Sequence, residues 1–291
     1  MAMYTIENDH LKIDINSLGA ELTTIFSKIQ QRNLLWNADP AYWARHSPVL
    51  FPIVGTLKND SYHYQDKAYS LARHGFARDM TFKVSAQTDT SIVFGLENTA
   101  ATLSVFPFEF KLEIHYTLQL NKLEVRYTVL NTGKQEMYFS IGGHPAFTVP
   151  FDDNSSIEDY YIEFSEKETL GRWPISSQGL IEALPLPLLN DSRLLPLSRE
   201  LFKKDALVFK YLQSHALMLK SNHSSHELRF DFTGFPFLGI WSAKDAHFIC
   251  IEPWCGIADS VDSSQQLIQK EGINLLTPGQ LFDRKWSVEI V

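Results

Sequence analysis

The stretch that decides the fold is residues 111–129, KLEIHYTLQLNKLEVRYTV. Apolar residues at positions 112, 114, 116 and 118 alternate with polar ones, and the alternation returns at positions 123, 125, 127 and 129 after the connection Leu120–Lys122. Successive side chains of a strand point to opposite faces, so two such runs with a short link predict a β-hairpin with one buried face.

The same two-residue period recurs along the chain, whereas helical periodicity is scarce. Short helical segments are expected at Pro40–Arg45, Ser198–Lys203 and Ser263–Lys270, and residues 175–197 are expected to form a long ordered loop. A strand-rich chain must stack its sheets or close them. We therefore predict an all-β fold, a large antiparallel β-sandwich forming a single domain over residues 1–291. Further strands are predicted at Leu11–Ile15, Glu21–Ser27, Thr81–Ser85, Ser91–Leu96, Tyr160–Phe164, Leu207–Tyr211, Ala216–Lys220, Glu227–Phe232, Phe237–Ser242, Phe248–Glu252 and Lys285–Ile290.

Composition restricts the class of partner. The chain has 291 residues, 44% of them hydrophobic, with 20 Phe, 11 Tyr and 6 Trp, and its formal net charge is −8. Aromatic residues in this number can fill a core and also line a groove. Negative charge does not attract nucleic acid or an anionic membrane, so the expected partner is a neutral small molecule.

The N-terminal residues carry neither a basic region nor an apolar one, and no apolar run has the length of a membrane-spanning helix, so a cytoplasmic location is expected. Cys250 and Cys255, the only cysteines, have a spacing that fits neither a redox motif nor half of a zinc ribbon. They are expected to be reduced thiols. The sequence does not distinguish a monomer from a homodimer.

The stretch Ser140–Phe147 presents an imidazole, His144, at the end of an apolar run, after two glycines and before a proline. The glycines allow close backbone approach and the proline ends the strand, which is one way of presenting a site residue. A histidine beside apolar residues is also typical of a hydrogen-bonded core or turn position. A functional role for His144 therefore depends on partners elsewhere in the chain.

Such partners occur near other strand ends or interruptions. His74 lies between Arg73 and Arg78, which disfavour its charged form. Asp205 opens an apolar strand, where it could also be simply solvated. Glu252 follows four apolar residues and precedes Pro-Trp, and burial there raises the pKa of a carboxyl group toward the range useful for a base.

Two histidines and two carboxylates suit proton transfer at the anomeric centre of a sugar. A carboxylate removes the O1 proton while an acid protonates the ring oxygen; the ring opens, and closure gives the other anomer. This chemistry requires no cofactor.

The sequence resembles the aldose 1-epimerase (galactose mutarotase-like) superfamily, and within it the LacX-like branch. The matching segments follow the family's order and span nearly the whole chain: Pro48–Asn59, His74–Arg78, Gly142–Phe147, Asp205–Phe209 and Ile251–Gly256.

The resemblance implies a large antiparallel β-sandwich with its site in a groove on a sheet face. It also implies Glu252 as general base, His144 as general acid, His74 near the ring oxygen and Asp205 on sugar hydroxyls. The classical enzymes carry an Asn-Arg pair before the first histidine, where this chain has Lys58–Asp60. We therefore list as further substrate-binding candidates Lys58, Asn59, Arg73, Arg78 and Trp254, the last by stacking on a sugar ring.

Three alternatives stay open. The segment at His74 also resembles the hexose-6-phosphate mutarotase branch, whose substrate would require clustered cations such as Arg45, Lys58, Arg73 and Arg78. A metal site of His74, His144 and Glu252 lacks the usual ligand spacing, and no metal is predicted. A sugar-binding sandwich without catalysis would not need Glu252 or His144.

The charge of His144 is the critical quantity for an acid role. At pH 7 an ordinary histidine, with a pKa of about 6.5, is only about one quarter protonated. We expect a carboxylate, Glu252 or Asp205, to lie close to His144 and to raise its pKa, while the arginines keep His74 neutral.

Overall fold

The structure is a computed structural model that describes residues 2–151 and 155–291. One short α-helix, α1, covers Ala100–Val105, and 3₁₀ helices cover Lys58–Asp60, Ala77–Asp79, Ile157–Asp159, Arg199–Phe202 and Leu267–Gln269. No helix in the described ranges is long and apolar enough to cross a membrane. In chain order the strands are β1 Met3–Glu7, β2 Leu11–Asn16, β3 Glu21–Ser27, β4 Arg32–Asn33, β5 Val49–Leu50, β6 Ser61–Tyr64, β7 Lys67–Ser70, β8 Lys83–Gln87, β9 Ser91–Glu97, β10 Phe110–Gln119, β11 Lys122–Asn131, β12 Met137–Phe139, β13 Ile141–Gly143, β14 Ala146–Thr148, β15 Tyr160–Glu168, β16 Gly171–Arg172, β17 Leu186–Pro187, β18 Ser192–Pro196, β19 Leu207–Lys210, β20 Ala216–Ser221, β21 Leu228–Asp231, β22 Phe237–Trp241, β23 Phe248–Cys255, β24 Asn274–Leu276 and β25 Leu281–Ile290.

The strands pair into two large antiparallel sheets and several small ones. The nine-stranded sheet has the order β18-β15-β20-β21-β25-β11-β10-β9-β8, and the six-stranded sheet has the order β19-β22-β23-β13-β5 with β14 also paired to β23. A four-stranded sheet holds β1 to β4. The hairpin at residues 111–129 is confirmed as β10 and β11, in which Leu112 faces Val129 and Leu118 faces Leu123.

Strand β23 shows how the layers are arranged, because it is buried along its whole length. Its residues Ile249 and Ile251 belong to the main hydrophobic core, together with residues of the nine-stranded sheet. Phe248 and Cys250 belong instead to a second cluster around Trp36. Because a strand alternates its faces, Glu252 points away from the main core. The six-stranded sheet therefore has one face on the core and another covered by loops.

Each predicted strand is present, with ends shifted by up to four residues. The all-β prediction is confirmed. The helix predictions were less accurate: Pro40–Arg45 is not helical, whereas Arg199–Phe202 and Leu267–Gln269 are short 3₁₀ helices within their predicted segments. The long loop predicted at residues 175–197 contains the strands β17 and β18, so that prediction was wrong in part.

Candidate active site

A cavity of about 300 Å³ lies on the outer face of the six-stranded sheet. Its polar lining includes His74, His144 and Glu252, and its aromatic lining includes Trp43 and Trp241. This volume lies at the lower end of the range for small-molecule sites, about 300–1,000 Å³. The cavity is therefore a mixed polar and aromatic site suited to a small ligand.

His144 and Glu252 are brought together by strand pairing. In β13, Gly142 pairs with Trp254, and in β14, Ala146 pairs with Cys250. The same antiparallel register continues across the break between the two strands and places His144 opposite Glu252. Nε2 of His144 lies 3.2 Å from Oε2 of Glu252. The contact between an imidazole and a carboxylate expected from the sequence is thus present.

The two glycines before His144 serve close packing. A Cβ at Gly142 would lie 2.6 Å from Cδ1 of Trp254, and a Cβ at Gly143 would lie 2.7 Å from the hydroxyl oxygen of Tyr127. Neither contact leaves room for a larger residue. The glycines therefore allow the strand that carries His144 to sit between the cavity floor and the core.

The protonation of His144 differs from the sequence-based expectation. Its ring is buried, stacks on Trp43 with centroids 4.8 Å apart, and meets Trp241 edge-on. Burial lowers the pKa of His144 to about 3, and the positive charges of Arg73 and Arg78 act in the same direction. The expectation of a raised pKa was wrong, because the nearby carboxyl group is itself buried and does not compensate for the lost hydration.

Burial acts on Glu252 in the opposite direction. The residue is 2% exposed, and burial raises its pKa well above the ordinary value, with Arg73 opposing and Asp205 adding to the rise. Both members of the pair are thus favoured in their neutral forms. Burial therefore favours the state in which the pair holds one proton. This proton is on Glu252 and faces an imidazole nitrogen of His144.

His74 is held by the backbone of a neighbouring loop. The backbone N–H of His74 donates to the carbonyl of Gly55 over 2.9 Å, and the ring atom Nδ1 of His74 accepts from the backbone N–H of Gly55 over 3.1 Å. Burial, then His144 and Arg73, lower the pKa of His74 well below its usual value. The neutral form of His74 predicted from the sequence agrees with this lowered pKa. Burial is the main cause of the lowering.

Arg73 also faces His74, with Nε 3.2 Å from Nε2 of the imidazole. A neutral imidazole accepts at only one nitrogen. Gly55 supplies a fixed backbone donor at Nδ1, so Nε2 carries the hydrogen and Arg73 is the partner that can turn away. Nη2 of Arg73 lies 3.9 Å from Oδ1 of Asp205, and the Arg73 side chain is 47% exposed. Arg73 is therefore available to a ligand.

Asp205 and Arg78 complete the polar wall of the cavity. Oδ1 of Asp205 accepts from the N–H of Ala206 over 2.7 Å, which fixes the carboxylate at the start of β19. Nη2 of Arg78 donates to the carbonyl of Arg73 over 2.7 Å, whereas the buried Nε of Arg78 has no hydrogen-bond partner. The structure thus brings together His74, His144, Glu252, Asp205, Arg73 and Arg78.

Two predicted substrate-binding residues lie outside the cavity. Nζ of Lys58 donates to the carbonyls of Val261 and Ser263, at 2.8 Å and 3.4 Å, and its backbone N–H donates to Asp259. Asn59 is exposed within a 3₁₀ helix. Lys58 therefore ties two loops together, and the structure does not bring Lys58 and Asn59 to the cavity.

Trp254 does line the cavity, but it is 6% exposed. Its indole lies against Gly142 and Gly239 of the two neighbouring strands. Cδ1 is the ring atom nearest to the Gly142 position, and Cζ2 and Cη2 are nearest to the Gly239 position, so the indole spans both strands.

Sequence reasoning did not assign the residues that roof the cavity. Ile175, Gly179 and Ile181 line it from within the predicted long loop, where Ile175 and Ile181 form a β-bridge. A second cavity of about 570 Å³ adjoins the first, shares Arg73 and Asp205 with it, and is also lined by Lys204 and Gln178. These contacts join distant segments, so no local pattern could have revealed them.

Among the described residues, His144, Cys250 and Glu252 form a group whose ligand atoms lie within 4.8 Å of one another. Metal binding requires a thiolate. Burial raises the pKa of Cys250 well above its usual value, and Cys250 packs among aromatic side chains, so the thiol form is favoured. This donor set fits a metal ion poorly, and His74, part of the metal site considered from sequence, does not belong to it.

Comparison with known proteins shows the family of the chain. The family model of aldose 1-epimerase matches residues 2–275, and the chain belongs to this family. Protein LacX (chromosomal) of Lactococcus lactis subsp. lactis is 33% identical over 296 residues, covering 98% of each chain.

Solved structures of related proteins have the same fold. The galactose mutarotase related enzyme from Lactobacillus acidophilus is 37% identical, with a TM-score of 0.95 over 100% of this chain and 97% of that one. A galactose mutarotase-like protein from Lactobacillus casei is 32% identical, with a TM-score of 0.93 over 100% of both chains. The family resemblance and the predicted galactose mutarotase-like fold are confirmed.

Proposed function

We propose that this protein is a cofactor-independent aldose 1-epimerase that interconverts the α and β anomers of a hexose. The observation that carries the proposal is the buried contact of 3.2 Å between His144 and Glu252 in the lining of a cavity. Ring opening needs one group that gives a proton and one that takes it. A buried pair that shares one proton meets this need without a metal or an organic cofactor.

The proposed roles are Glu252 as base and His144 as acid. Binding of the sugar moves the shared proton from Glu252 to His144 across their contact. The Glu252 carboxylate takes the proton from O1, His144 returns its proton to the ring oxygen, and the C1–O5 bond breaks to leave an aldehyde. Rotation about C1–C2 and reversal of these steps give the other anomer. Burial favours the neutral pair, so it stabilises the site in the open-chain state.

The other residues of the cavity have supporting roles. His74, with Nε2 protonated, donates to a sugar oxygen, and Asp205 and Arg73 bind hydroxyl groups at the mouth. Trp43 and Trp241 offer apolar surface to the C–H faces of the ring. Their stacking around His144 also excludes water, which would otherwise compete for the proton.

The test is the rate of anomer exchange. Fresh α-D-glucose and α-D-galactose are followed by optical rotation with wild type, Glu252→Gln and His144→Asn. A matched control is Glu168→Gln, because Glu168 is also buried but accepts hydrogen bonds from Ser214 and does not line the cavity. Loss of exchange in the first two variants, with sugar binding kept, supports the proposal. Wild-type rotation equal to the buffer control would leave a non-catalytic sugar-binding protein as the better description.

A hexose 6-phosphate is a second candidate substrate. The observation in its favour is that Arg73 and Arg78 line the cavity, and that Arg73 and Lys204 line the adjoining one. A phosphate group would bind these cations directly. A kcat/KM for glucose 6-phosphate well above that for glucose, falling as salt is added, would favour the phosphorylated substrate.

A further inference from the structure

Two glycines leave room for the indole of Trp254 against the neighbouring strands. A Cβ at Gly142 of β13 would lie 2.6 Å from Cδ1, and a Cβ at Gly239 of β22 would lie 2.5 Å from Cζ2 and Cη2. Neither glycine has a positive φ. The backbone therefore does not require glycine at these positions, whereas the approach of the indole does.

The two contacts place the indole across both neighbouring strands. Cδ1, together with Cε2, which lies 3.2 Å from the Gly239 position, flanks the nitrogen Nε1. Nε1 is buried and has no hydrogen-bond partner within 3.5 Å. A buried donor of this kind requires an acceptor.

Glu252 is the acceptor that strand geometry offers. It lies two residues before Trp254 on the same face of β23, and Gly239, on which the indole rests, is its partner in the β22 register. The Trp254 side chain also lowers the pKa of Glu252, opposing the effect of burial. A buried donor without a partner costs about 1–3 kcal/mol, and a bond to a charged acceptor would recover this cost.

We propose that Trp254 is a positioning residue whose indole N–H, unpartnered in this structure, hydrogen-bonds to Glu252 once its carboxyl group is ionised and holds it as the base during ring opening. This inference rests on the proposed function and adds a residue to it. The bond strengthens as Glu252 loses its proton to His144, because hydrogen bonds to ionised groups are about twice as strong as neutral ones. Gly142 and Gly239 are then required for the alignment of the base.

The test is Trp254→Phe, which keeps an aromatic ring and removes the N–H. Loss of a bond worth about 1.5–3 kcal/mol raises the alkaline-side pKa of kcat, at which Glu252 loses the proton of the pair, by about one to two units, while KM stays within about twofold. Gly239→Ala, which displaces the indole without removing it, moves the alkaline limb the same way. A fall in kcat with an unmoved alkaline limb, or a rise in KM alone, would show that Trp254 is only a wall of the cavity.

A matched control is Trp286→Phe. The Trp286 N–H donates to the hydroxyl of Tyr127 over 2.8 Å in the core, so this variant also loses one buried indole hydrogen bond. It lowers stability and leaves the alkaline limb of kcat in place. A shift of that limb in Trp286→Phe equal to that in Trp254→Phe would overturn the inference.

A second measurement does not depend on turnover. The side-chain carboxyl of Glu252 is followed by ¹³C NMR across a pH titration and assigned by its absence in Glu252→Gln. The resonance titrates at higher pH in Trp254→Phe than in wild type. If neither protein exchanges anomers but the titration still moves, the proposed function fails and the contact between Trp254 and Glu252 stands. An unmoved titration rejects the contact whatever the activity.

Discussion

Two buried pairs of an acidic and a basic residue differ in how completely their hydrogen bonds are satisfied. Oδ1 of Asp259 lies 2.6 Å from Nζ of Lys270, and Oδ2 accepts the N–H of Lys58 over 2.9 Å. Glu252 has one contact of 3.2 Å, to His144, which has an unpartnered Nδ1. The first pair joins loops, and the second faces the cavity.

The difference explains how burial can serve two purposes. Burial lowers the pKa of Lys270, but the charge and hydrogen bond of Asp259 oppose this effect. At Glu252 burial raises the pKa, and the opposing influences of Arg73 and Trp254 are smaller. Buried charges without full compensation are typical of functional sites. The saturated pair therefore joins loops of the fold, while the unsaturated pair has the uncompensated burial on which the proposed proton transfer depends.

The largest expected effect separates activity from stability at the cavity pair. Glu252→Gln lowers kcat/KM for anomer exchange by about 10²–10⁴, the usual contribution of a general acid or base. The amide has the same shape and removes a buried ionisable group, so the free energy of unfolding stays equal or rises. Urea unfolding and optical rotation measured on one preparation check both halves. A large loss of stability would indicate that Glu252 is a structural residue.

The saturated pair is expected to respond in the opposite way. Lys270→Met leaves Asp259 buried without its cation and lowers the free energy of unfolding by about 3–5 kcal/mol. Exchange activity per folded molecule remains that of the wild type, because neither residue lines the cavity. The double variant with Asp259→Asn loses less than the sum of the single changes. Strict additivity in urea unfolding would argue against a coupled pair.

Acid stability gives a smaller effect at the cavity pair. The pKa of folded His144, about 3, lies below the ordinary value of about 6.5, so the unfolded chain binds this proton first. The resulting stability is complete above about pH 6.5 and is lost as pH falls toward 3. From pH 6.5 to pH 4.5 the contribution of His144 falls by roughly 2–3 kcal/mol. The raised pKa of Glu252 contributes in the opposite direction over this range, because the folded carboxyl group keeps a proton that the unfolded one releases.

His144→Gln removes this part of the pH dependence, which is measured by urea unfolding at several pH values. The control is His223→Gln, because the side chain of His223 is 66% exposed. We expect the control to retain the slope of the wild type. Equal slopes in the wild type and His144→Gln would contradict the lowered pKa.

The smallest effect compares two cations. Arg73→Gln removes a side chain that lines both cavities and raises KM about tenfold, about 1.4 kcal/mol. Lys58→Gln leaves KM unchanged, because its ammonium group already donates to Val261 and Ser263. Initial rates over a range of sugar concentration distinguish the two. If KM rises in Lys58→Gln and not in Arg73→Gln, Lys58 rather than Arg73 contacts the sugar.

Local pattern was sufficient for the sheets. The alternation at residues 111–129 fixes both the strands and their buried face, because a shift of one residue would expose that whole face. Helix α1 was missed, since its six residues are too few for a helical period. Its signal is a capping box at Thr99, whose side chain accepts from the N–H of Thr102.

The site was predictable only to the extent that its residues belong to strand-end motifs. His144, Glu252, His74 and Asp205 were identified in this way, and the structure brings them together. Lys58 was misplaced because a sequence does not reveal that carbonyls of a distant loop occupy its ammonium group. The lowered pKa of His144 could not be foreseen either, since it depends on how deeply both members of the pair are buried.

The register of β23 separates the chemistry of this protein from its choice of ligand. One continuous pairing with β13 and β14 sets the distance between His144 and Glu252, so that distance is a property of the sheet. The roof over the cavity comes from the connection containing Ile175 and Ile181. Mutations in that connection can alter which ligand is admitted while the proton-transfer geometry stays unchanged. Sequence changes in the loop over the cavity can therefore alter its entrance, while the strand register keeps His144 opposite Glu252.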